Sequence, residues 1–542
     1  MSSIARVPQP WNEPVRSYAP GTAARAELKS RLADLAREEI DIPVIVGGRE
    51  IRTGRTAHAV MPHAHAQVLA TWHKAGREEV REAMTAAREA QREWASWAWE
   101  DRLAVFLRAA ELLSTRWRET LNAATMLGQS KTAHQAEIDA VCELADFWRF
   151  NAHFAEQLYR EQPSSQHGVW NRLEYRPLEG FVYAVTPFNF TSIAGNLPTA
   201  PAMLGNVSLW KPSDKAVYSG YYIVKLLEEA GLPPGVINFV PGDPVEITSI
   251  VLDSPELAGI HYTGSTAVFQ GIWQGIGERI ARYRGYPRLV GETGGKDFIV
   301  AHASADPEAL ATAIVRGGFE YQGQKCSAAS RVYVPESLWS AVRERLVAQL
   351  ETVGVGDVRD FRNFMGAVID RTAFDRITNY VDHAKREPGN EVVFGGGYDG
   401  SEGYFVEPTV IRVRDPRYRL MCEEVFGPVV AVYVYPEQPW SETLRLVDET
   451  SPYGLTGAVF ATDRGAIREA ATGLRDAAGN FYVNDKPTGA VVGEQPFGGG
   501  RASGTNDKAG SPLNLFRWVS ARTIKETFAP ALDYRYPFME AE

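Results

Sequence analysis

Hydrophobic positions recur with a helical period in the first third of this chain. Between about residues 76 and 160 the apolar residues come every three or four positions, which predicts helices with one buried face. One such stripe contains Val80, Met84, Ala87 and Ala90. A separate helix is predicted over about residues 21–38. The segment at 165–180 breaks the helical pattern, so we expect it to be extended.

Further along, short apolar runs alternate with segments of helical length. Strands are predicted at 181–185, 206–210, 236–240 and 258–264, and again at 296–302, 331–335, 429–435, 456–462 and 479–484. This alternation is typical of a parallel, doubly wound sheet. We therefore predict an α/β fold with two α/β domains and a boundary near residue 290. A last strand at 520–530 is expected to pair with the extended segment at 165–180, outside both domains.

Composition and charge narrow the choice of partner. Of the 542 residues 44% are hydrophobic and 23% are charged, enough for a large core in two or three domains. The formal net charge of −10 argues against nucleic acid or an anionic membrane as the main partner. The sequence contains neither a long apolar span nor a secretory signal pattern. We expect a small-molecule substrate and a cytoplasmic location, although mitochondrial import stays open.

Cys326 lies in the segment FEYQGQKCSAASR, among small and polar neighbours. A free cysteine is most often a small buried apolar residue, and Cys142, inside a helical pattern, is expected to be one. Lys325 is a cation that would favour the reactive thiolate of Cys326. Cys326 is therefore a candidate nucleophile, and a structural role fits the local sequence equally well. Three scattered cysteines predict neither a disulfide framework nor a metal site.

Other polar residues at predicted strand ends add candidate chemistry. Glu292 in LVGETGGKDF could act as a general base, or could be an ordinary glutamate at a turn. Asn189 in VTPFNFTSIAGN could donate to an oxyanion, or could cap a turn or helix. Lys211 directly follows a strand, where open α/β sheets bind ligands. Gly264 and Ser265 precede a helix that could bind a phosphate, a weak signal by itself.

Together these segments resemble the aldehyde dehydrogenase superfamily. Seven motifs stand in the family's order: PFN (187–189), KPS (211–213), GST (264–266), ETGGK (292–296), GQKC (323–326), EEVFGP (423–428) and PFGGGRASG (496–504). The resemblance extends from about residue 40 to 530. Longer segments, such as TPFNFTSIAGNLPTAPAMLGN, resemble the branch of the family that oxidises glutamate γ-semialdehyde. Phe269 and Lys325 depart from the wider family and fit this branch.

The resemblance implies a fold with three parts and an arm. A Rossmann-type NAD-binding domain is expected over 41–164 and 183–290, and an α/β catalytic domain over 291–515. A small β flap for oligomerisation would comprise 165–182 and 516–542. Residues 1–40 would form an N-terminal arm. The family pairs through such strands, so a homodimer or an assembly of dimers is expected, and a transient contact with proline dehydrogenase stays open.

The family's chemistry can be carried over to matching residues. By similarity, Cys326 attacks the aldehyde, and Asn189 with the backbone N–H of Cys326 holds the oxyanion. Glu292 would activate the water that hydrolyses the thioester. NAD is expected rather than NADP, because the Asp214 carboxylate would repel a 2′-phosphate. The residues implied near the cofactor are Thr186, Pro187, Phe188, Lys211, Ser213, Asp214, Gly264, Ser265, Thr266, Val268, Glu424 and Phe426.

A glutamate semialdehyde site also needs groups for the α-carboxylate and the α-ammonium. The resemblance implies that Ser327 and the backbone N–H groups of Gly489 and Ala490 bind the carboxylate. These two backbone N–H groups belong to the segment PTGAVVG, residues 487–493, which we call the anchor loop. Glu143 would face the ammonium, and Lys325 could add positive potential. Phe190 and Phe497 would enclose the methylene chain.

The implied function is NAD-dependent oxidation of L-glutamate γ-semialdehyde to L-glutamate, the second step of proline catabolism. One alternative is a dehydrogenase for another semialdehyde, such as succinate semialdehyde, for which Glu143 would have no ammonium to bind. Another is an inactive relative kept as a binding protein, against which the joint presence of Cys326, Glu292 and Asn189 argues. A bifunctional chain that includes proline dehydrogenase is not expected at this length.

Overall fold

The structure is a computed structural model that describes residues 5–542. One helix and five strands come first: α1 (Ala23–Leu35), β1 (Ile40–Ile42), β2 (Val44–Val46), β3 (Arg49–Ile51), β4 (Thr56–Met61) and β5 (Ala64–His73). The predicted helix at 21–38 is therefore confirmed, and the Thr22 hydroxyl caps it by accepting from the Arg25 N–H. The strands between 40 and 73 are not among the sequence predictions. Strands β1, β5 and β4 form a small sheet in that order.

The predicted helical region consists of successive helices around one irregularity. These are α2 (Arg77–Trp94), α3 (Trp99–Ser114), α4 (Arg118–Gln129), α5 (Ala133–Ala136), a π-helix (Glu137–Glu143) and α6 (Leu144–Arg160). The π-helix joins α5 directly to α6, so the three segments form one continuous helical rod. Such π-helical turns are rare and are found mostly at functional sites. Here the π-helix ends at Glu143, a predicted site residue.

The first large sheet contains the strands predicted upstream of residue 290. Its region comprises β6 (Val169–Arg176), β7 (Phe181–Val185), α7 (Thr191–Met203), β8 (Val207–Lys211), α8 (Val217–Ala230), β9 (Ile237–Phe239), α9 (Pro244–Leu252), β10 (Leu257–Thr263), α10 (Thr266–Glu278) and β11 (Arg288–Glu292). The strand order is β11-β10-β7-β8-β9-β2-β3. The first five strands are parallel, as predicted, but β2 and β3 add antiparallel pairs at one edge.

The second large sheet repeats this architecture after residue 296. Its region comprises β12 (Asp297–Ala301), α11 (Pro307–Phe319), β13 (Ala329–Pro335), α12 (Glu336–Leu350), α13 (Arg371–Arg386), β14 (Glu391–Phe394), β15 (Tyr398–Asp399), β16 (Phe405–Val406), β17 (Thr409–Val413), α14 (Arg419–Cys422), β18 (Val429–Tyr435), α15 (Trp440–Glu449), β19 (Tyr453–Gly454), β20 (Thr456–Phe460), α16 (Arg464–Gly473) and β21 (Asn480–Val483). The order is β14-β17-β18-β13-β12-β20-β21, and only β14 at the edge is antiparallel.

Each large sheet is buried on both faces, because successive side chains of a strand point to opposite sides. In β7, Phe181 and Tyr183 join one apolar cluster and Val182 joins another. In β12, Phe298 and Ile299 are divided in the same way between two further clusters. Helices therefore cover both faces of each sheet, which confirms the doubly wound α/β prediction.

The chain ends with β22 (Gly500–Arg501), α17 (Pro512–Leu515) and β23 (Ser520–Thr527). Strand β23 pairs antiparallel with β6, from Ser520 opposite Arg176 to Thr527 opposite Val169. This two-stranded ribbon is the pairing predicted for the segments at 165–180 and 520–530. Among residues 5–542, no helix combines the length and the apolar character that crossing a membrane requires.

Candidate active site

The site lies where the carboxyl end of one large sheet faces the other sheet. Glu292 is the last residue of β11, at the edge of the first sheet. Cys326 lies on the segment that leads from α11 into β13, in the middle of the second sheet. Both side chains line one cavity of about 360 Å³. The two residues predicted as nucleophile and base are therefore brought together from different sheets.

The backbone just before Cys326 adopts an uncommon conformation. Tyr321, Gln322 and Gly323 have φ values of 51°, 54° and 64°, all in the left-handed region. Non-glycine residues rarely adopt this region, and it persists only where surrounding contacts hold it. The Gln322 amide supplies such contacts, since its Nε2 donates to the carbonyls of Ser130 (3.0 Å) and Ala367 (2.7 Å). The nucleophile segment is thus fixed by buried hydrogen bonds.

Asn189 reaches the same segment from the first sheet. It is buried, and its Nδ2 donates to the Gln324 carbonyl at 3.1 Å, two residues before Cys326. Gln324 is held in turn, because its Oε1 accepts from the Ile369 N–H at 2.9 Å. An amide group carries two N–H hydrogens, so Asn189 keeps one donor for a second acceptor. The structure therefore places Asn189 beside the Cys326 segment, as the motif order predicts.

The electrostatic surroundings of Cys326 differ from the expectation. Burial raises the pKa of the Cys326 thiol well above its ordinary value, and the carboxylates of Glu292, Asp297 and Glu424 add to the rise. The expected lowering of this pKa by Lys325 was wrong. Lys325 Nζ lies 3.2 Å from Glu320 Oε2 in a buried ion pair, so its charge is already balanced.

Glu292 has the properties of a base that works near neutral pH. Burial raises the pKa of its carboxyl group to about 8; the Lys508 ammonium opposes this rise and the Asp507 carboxylate adds to it. A general base is most effective when its pKa lies near the working pH, since it then both accepts and releases a proton. The environment of Glu292 thus suits proton transfer from a water molecule.

All seven residues predicted for the substrate line the cavity that contains Cys326. They are Glu143, Phe190, Lys325, Ser327, Gly489, Ala490 and Phe497. The Ser327 hydroxyl lies 2.8 Å from the Thr488 hydroxyl, which ties the residue after the nucleophile to the anchor loop. Residues from four distant parts of the sequence therefore converge on one small volume.

Glu143 belongs to a buried polar cluster at one end of this cavity. The Ser192 hydroxyl lies 2.7 Å from both Glu143 Oε2 and Asp139 Oδ1, and Lys131 Nζ lies 2.7 Å from Asp139 Oδ2. Burial raises the pKa of Glu143 to about 8, with a further rise from the Asp139 charge. One hydroxyl proton serves only one acceptor, so a protonated Glu143 satisfies this arrangement best. An arriving ammonium group would instead favour the carboxylate.

Sequence reasoning missed several residues that line the same cavity. They include Asn12, Glu13 and Val15 of the N-terminal arm, together with His134, Asp139, Asp146 and Thr488. Residues 5–22 of the arm form no helix or strand, so no periodic pattern indicated their path. Asp139 and Asp146 lie in the continuous helical pattern, which marked them as parts of helices and not as site residues. Only tertiary packing brings these positions to the cavity.

The residues predicted for the cofactor form a second group, at the carboxyl ends of β7, β8 and β10. These three strands are adjacent in the sheet. Lys211 ends β8, and its buried Nζ lies 3.1 Å from Asp214 Oδ1. The Thr186 hydroxyl accepts from Trp210 Nε1 at 2.9 Å. Three further residues predicted for the cofactor lie close by in the sequence. Pro187 follows β7, Ser213 follows β8, and the exposed Val268 lies in the first turn of α10.

The turn after β10 leads directly into α10. The Gly264 N–H donates to the Glu292 carbonyl at 3.2 Å, which ties this turn to the catalytic strand. Ser265 caps the helix, since its hydroxyl accepts from the Val268 N–H. The Thr266 hydroxyl accepts from the Gly294 N–H at 3.3 Å. The free N–H groups at this helix start suit a phosphate.

Glu424 joins this group from the second sheet. Its Oε1 accepts from the Gly295 N–H at 2.9 Å, and burial raises the pKa of its carboxyl group. A side chain at Gly294 would place its Cβ 2.6 Å from Glu424 Oε2, so only glycine allows this approach. The Phe426 ring meets the Phe188 ring edge-on, with centroids 5.8 Å apart.

This second group fits a dinucleotide. A buried ammonium, a helix start with free N–H groups and a buried carboxylate would meet the ribose, the pyrophosphate and the second ribose. The groups lie at the carboxyl ends of parallel strands, the usual ligand-binding edge of such sheets. The Lys211 charge partly offsets that of Asp214, which weakens the predicted repulsion of a 2′-phosphate.

Comparison with known proteins places this architecture among dehydrogenases. The model of the family described as "Aldehyde dehydrogenase family" matches residues 51–524. The chain is 51% identical to the mitochondrial delta-1-pyrroline-5-carboxylate dehydrogenase of Dictyostelium discoideum, over 99% of this chain and 98% of the relative. It is 50% identical to the delta-1-pyrroline-5-carboxylate dehydrogenase of Agaricus bisporus, over 98% of each chain.

A solved structure agrees over the whole chain. It is the crystal structure of the delta-pyrroline-5-carboxylate dehydrogenase from Mycobacterium tuberculosis bound with NAD. The two chains are 55% identical, superimpose with a TM-score of 0.97 and cover each other completely, at 100% of each. The similarity therefore includes the two large sheets, the ribbon and the N-terminal arm.

Proposed function

The chain belongs to the aldehyde dehydrogenase family, and we propose that it oxidises L-glutamate γ-semialdehyde to L-glutamate with NAD. L-Glutamate γ-semialdehyde is the open form of 1-pyrroline-5-carboxylate, so the reaction would be the second step of proline catabolism. The observation that carries this proposal is the single cavity lined by Cys326, Glu292 and all seven predicted substrate residues. The names of the relatives at about half identity support the same substrate.

The reaction begins at Cys326. Once its thiol loses a proton, the sulfur adds to the aldehyde carbon and gives a thiohemiacetal. The alkoxide that forms is stabilised by Asn189 Nδ2 and by the backbone N–H of Cys326. Loss of a hydride from this carbon leaves a thioester on Cys326, and NAD, when bound, supplies the hydride acceptor. The groups that would hold it are Lys211, the α10 start and Glu424, and Phe188 and Phe426 would pack beside it.

Glu292 completes the turnover. Its carboxylate removes a proton from a water molecule, and the resulting hydroxide attacks the thioester carbon on Cys326. The carbon–sulfur bond breaks, the product leaves as a carboxylate, and the thiol is restored. The raised pKa of Glu292, about 8, makes it a stronger base than an exposed carboxylate. Cys326 and Glu292 line the same cavity, so the nucleophile and the base can act in turn on one substrate carbon.

Selectivity would come from the groups around the cavity. The Ser327 hydroxyl and the anchor-loop N–H groups would bind the substrate α-carboxylate, and Glu143 would bind the α-ammonium. Position 490 is an alanine, so only the backbone donates at that position. The aromatic rings of Phe190 and Phe497 would enclose the methylene chain.

A substrate comparison tests this function. Formation of NADH would be followed with 1-pyrroline-5-carboxylate, succinate semialdehyde and propanal at matched concentrations, with NAD and with NADP. We expect the highest kcat/KM with 1-pyrroline-5-carboxylate and NAD. Equal or better turnover of succinate semialdehyde would reject the amino-acid site but keep the thiol mechanism, while inactivity with every aldehyde would reject both.

The same proposal extends to organisation and location. The first large sheet would be the core of an NAD-binding domain and the second that of the catalytic domain, with the β6–β23 ribbon joining two chains in a dimer. Since proline dehydrogenase makes 1-pyrroline-5-carboxylate, a transient contact with that enzyme belongs to the proposal. A cytoplasmic location is proposed, although several relatives, such as the one from Dictyostelium discoideum, are named as mitochondrial. Cell fractionation would distinguish the two locations.

A further inference from the structure

Residues 5–20 of the N-terminal arm are held along the π-helix and α6 by a regular set of contacts. Three of its backbone N–H groups donate to three carboxylates of that helical rod. The bonds run from Val7 to Glu156 (2.7 Å), from Glu13 to Asp146 (2.7 Å) and from Arg16 to Glu137 (2.9 Å). The arm therefore runs antiparallel to the helices, with its backbone donors satisfied by side chains and not by a sheet.

Glu13 fixes the middle of the arm. Its side chain is buried, and its two oxygens accept from Arg118 Nη1 at 2.6 Å and from Arg149 Nη1 at 2.8 Å. A buried carboxylate that binds two guanidinium groups is costly to remove, because the buried positive charge of Arg149 and Arg118 would then be balanced less well. The path of the arm is thus strongly specified at this residue.

At this point the arm becomes part of the substrate cavity. Asn12, Glu13 and Val15 line the same 360 Å³ cavity as Cys326 and Glu292. The arm lies outside the region 51–524 that the family model matches. Residues outside the region that the family model matches can give this cavity a selectivity that not all family members share.

Asn12 links two walls of this cavity. Its Nδ2 donates to Asp146 Oδ2 at 2.9 Å and to the Val492 carbonyl at 2.8 Å, so both amide hydrogens are used. Asp146 belongs to α6, whereas Val492 belongs to the anchor loop that presents Gly489 and Ala490. The anchor loop contains glycines with φ of 91° and 84°, at Gly489 and Gly493, so it has considerable conformational freedom without a tether.

We propose that Asn12 is a positioning residue that holds the anchor loop against α6 and thereby sets the selectivity for substrates that carry an α-carboxylate. The inference rests on the function proposed above, in which the Gly489 and Ala490 N–H groups bind that carboxylate. A simple aldehyde does not use these donors. Loss of the Asn12 tether should therefore weaken binding of the charged substrate and leave the thiol chemistry intact.

The kinetic test uses the full chain and two variants of the arm. Asn12→Ala removes both hydrogen bonds, and Gln9→Ala changes an exposed residue of the same arm as a control. For Asn12→Ala we expect KM for 1-pyrroline-5-carboxylate to rise roughly five- to twentyfold, the size of one or two lost hydrogen bonds. The kcat value, and kcat/KM for propanal, should change less than about threefold, because neither the thiol chemistry nor an uncharged aldehyde uses the anchor-loop donors. An equal loss with both aldehydes, or no loss, would overturn the proposal.

A second measurement does not depend on the substrate. Amide hydrogen exchange followed by mass spectrometry should become faster in residues 488–493 of Asn12→Ala, but not of Gln9→Ala. Asn12→Leu keeps the side-chain volume without either donor, so it should behave like Asn12→Ala even if the smaller side chain disturbs folding. Unchanged hydrogen exchange in both Asn12 variants would overturn the proposal that Asn12 holds the anchor loop. If the wild-type chain does not prefer 1-pyrroline-5-carboxylate but the exchange result holds, the proposed function fails and the tether stands.

Discussion

Burial and nearby carboxylates are the main influences on the Cys326 thiol. Glu292, Asp297 and Glu424 all raise its pKa in addition to the effect of burial. A cysteine whose pKa is raised is protected from oxidation and metal binding, because the thiolate is the reactive form. Burial and the neighbouring carboxylates therefore disfavour the thiolate that the proposed mechanism needs.

Replacing this thiol should separate chemistry from binding. Cys326→Ala is expected to abolish aldehyde oxidation, since Cys142, the other thiol among the described lining residues, lies against the buried Arg118–Glu137 ion pair, 3.8 Å from Glu137 Oε1. NAD binding, measured by calorimetry, should be retained. Cys422→Ala is the matched control, because its thiol lies 3.3 Å from the Arg417 carbonyl and outside the cavity. Turnover by Cys326→Ala would contradict the mechanism.

The raised pKa of Glu292 predicts the shape of the pH profile. The carboxylate is the active form of a general base, so thioester hydrolysis should accelerate as pH rises towards about 8 and level off above it. In Glu292→Gln this rise of the rate with pH should disappear. Hydrolysis should slow by roughly 10²–10⁴-fold, the usual contribution of a general base. Mass spectrometry under turnover should then detect an acyl adduct on Cys326.

Glu143 provides the control for this assignment, because its pKa is also about 8. Glu143→Gln should keep the pH dependence of thioester hydrolysis and lose affinity for the substrate ammonium. If the pH dependence of thioester hydrolysis vanishes in Glu143→Gln and persists in Glu292→Gln, the base has been assigned to the wrong carboxylate.

Ser327 is the third residue whose role can be isolated. Ser327→Ala removes a hydroxyl donor for the α-carboxylate and its contact with Thr488. We expect KM for 1-pyrroline-5-carboxylate to rise roughly tenfold or more, as for a lost hydrogen bond to a charged group. KM for propanal should hardly change. Ser330→Ala, on β13 and outside the cavity, is the matched control; equal effects on both aldehydes would remove Ser327 from carboxylate recognition.

At the scale of single elements, the turn at 321–323 is the most constrained part of the site. Gly323 has a φ of 64°, and a Cβ there would lie 2.3 Å from the Gly427 carbonyl oxygen. Gly323→Ala must therefore shift backbone on one side or the other. We expect it to lower the free energy of unfolding by more than about 2 kcal/mol and to displace Cys326.

A glycine in open space gives the comparison for this turn. Gly277 lies near the end of α10 with no atom near its missing side chain, so Gly277→Ala should stabilise the chain by up to about 1 kcal/mol. Denaturant unfolding would measure both variants. Similar stability of the two would show that the left-handed turn relaxes without cost.

The elements that the sequence predicted best are those with strong periodic patterns. The runs at 181–185 and 429–435 coincide with β7 and β18, because buried parallel strands need continuous apolar sequence. The strands β4 and β5 escaped prediction, since this segment is rich in alanine and histidine, which do not favour strands. The π-helix was likewise invisible, because its sequence continues the pattern of α5 and α6.

At the scale of the whole molecule, motif order located the reacting groups but not the cavity that contains them. Cys326, Glu292 and Asn189 could be predicted because each lies in a compact motif. The contribution of Asn12 could not, because its partner Val492 lies 480 residues away in the sequence. Local patterns do not carry such contacts. The ion pair between Lys325 and Glu320 escaped prediction for another reason: the two residues are only five positions apart, but the left-handed turn between them has no periodic pattern.

The β6–β23 ribbon carries a prediction about assembly. None of its sixteen residues is buried within the single chain, and its cross-strand ion pairs, such as Arg522 with Glu174, are exposed. A two-stranded ribbon is marginally stable in water, so we expect a second chain to cover it. The full chain should sediment as a dimer or an assembly of dimers. A chain that lacks residues 520–542, and the variant Leu173→Lys, should dissociate at concentrations where the wild type does not. Wild-type chains that sediment as monomers, or a truncated chain of unchanged assembly, would contradict this role, because the ribbon would then be stable without a partner.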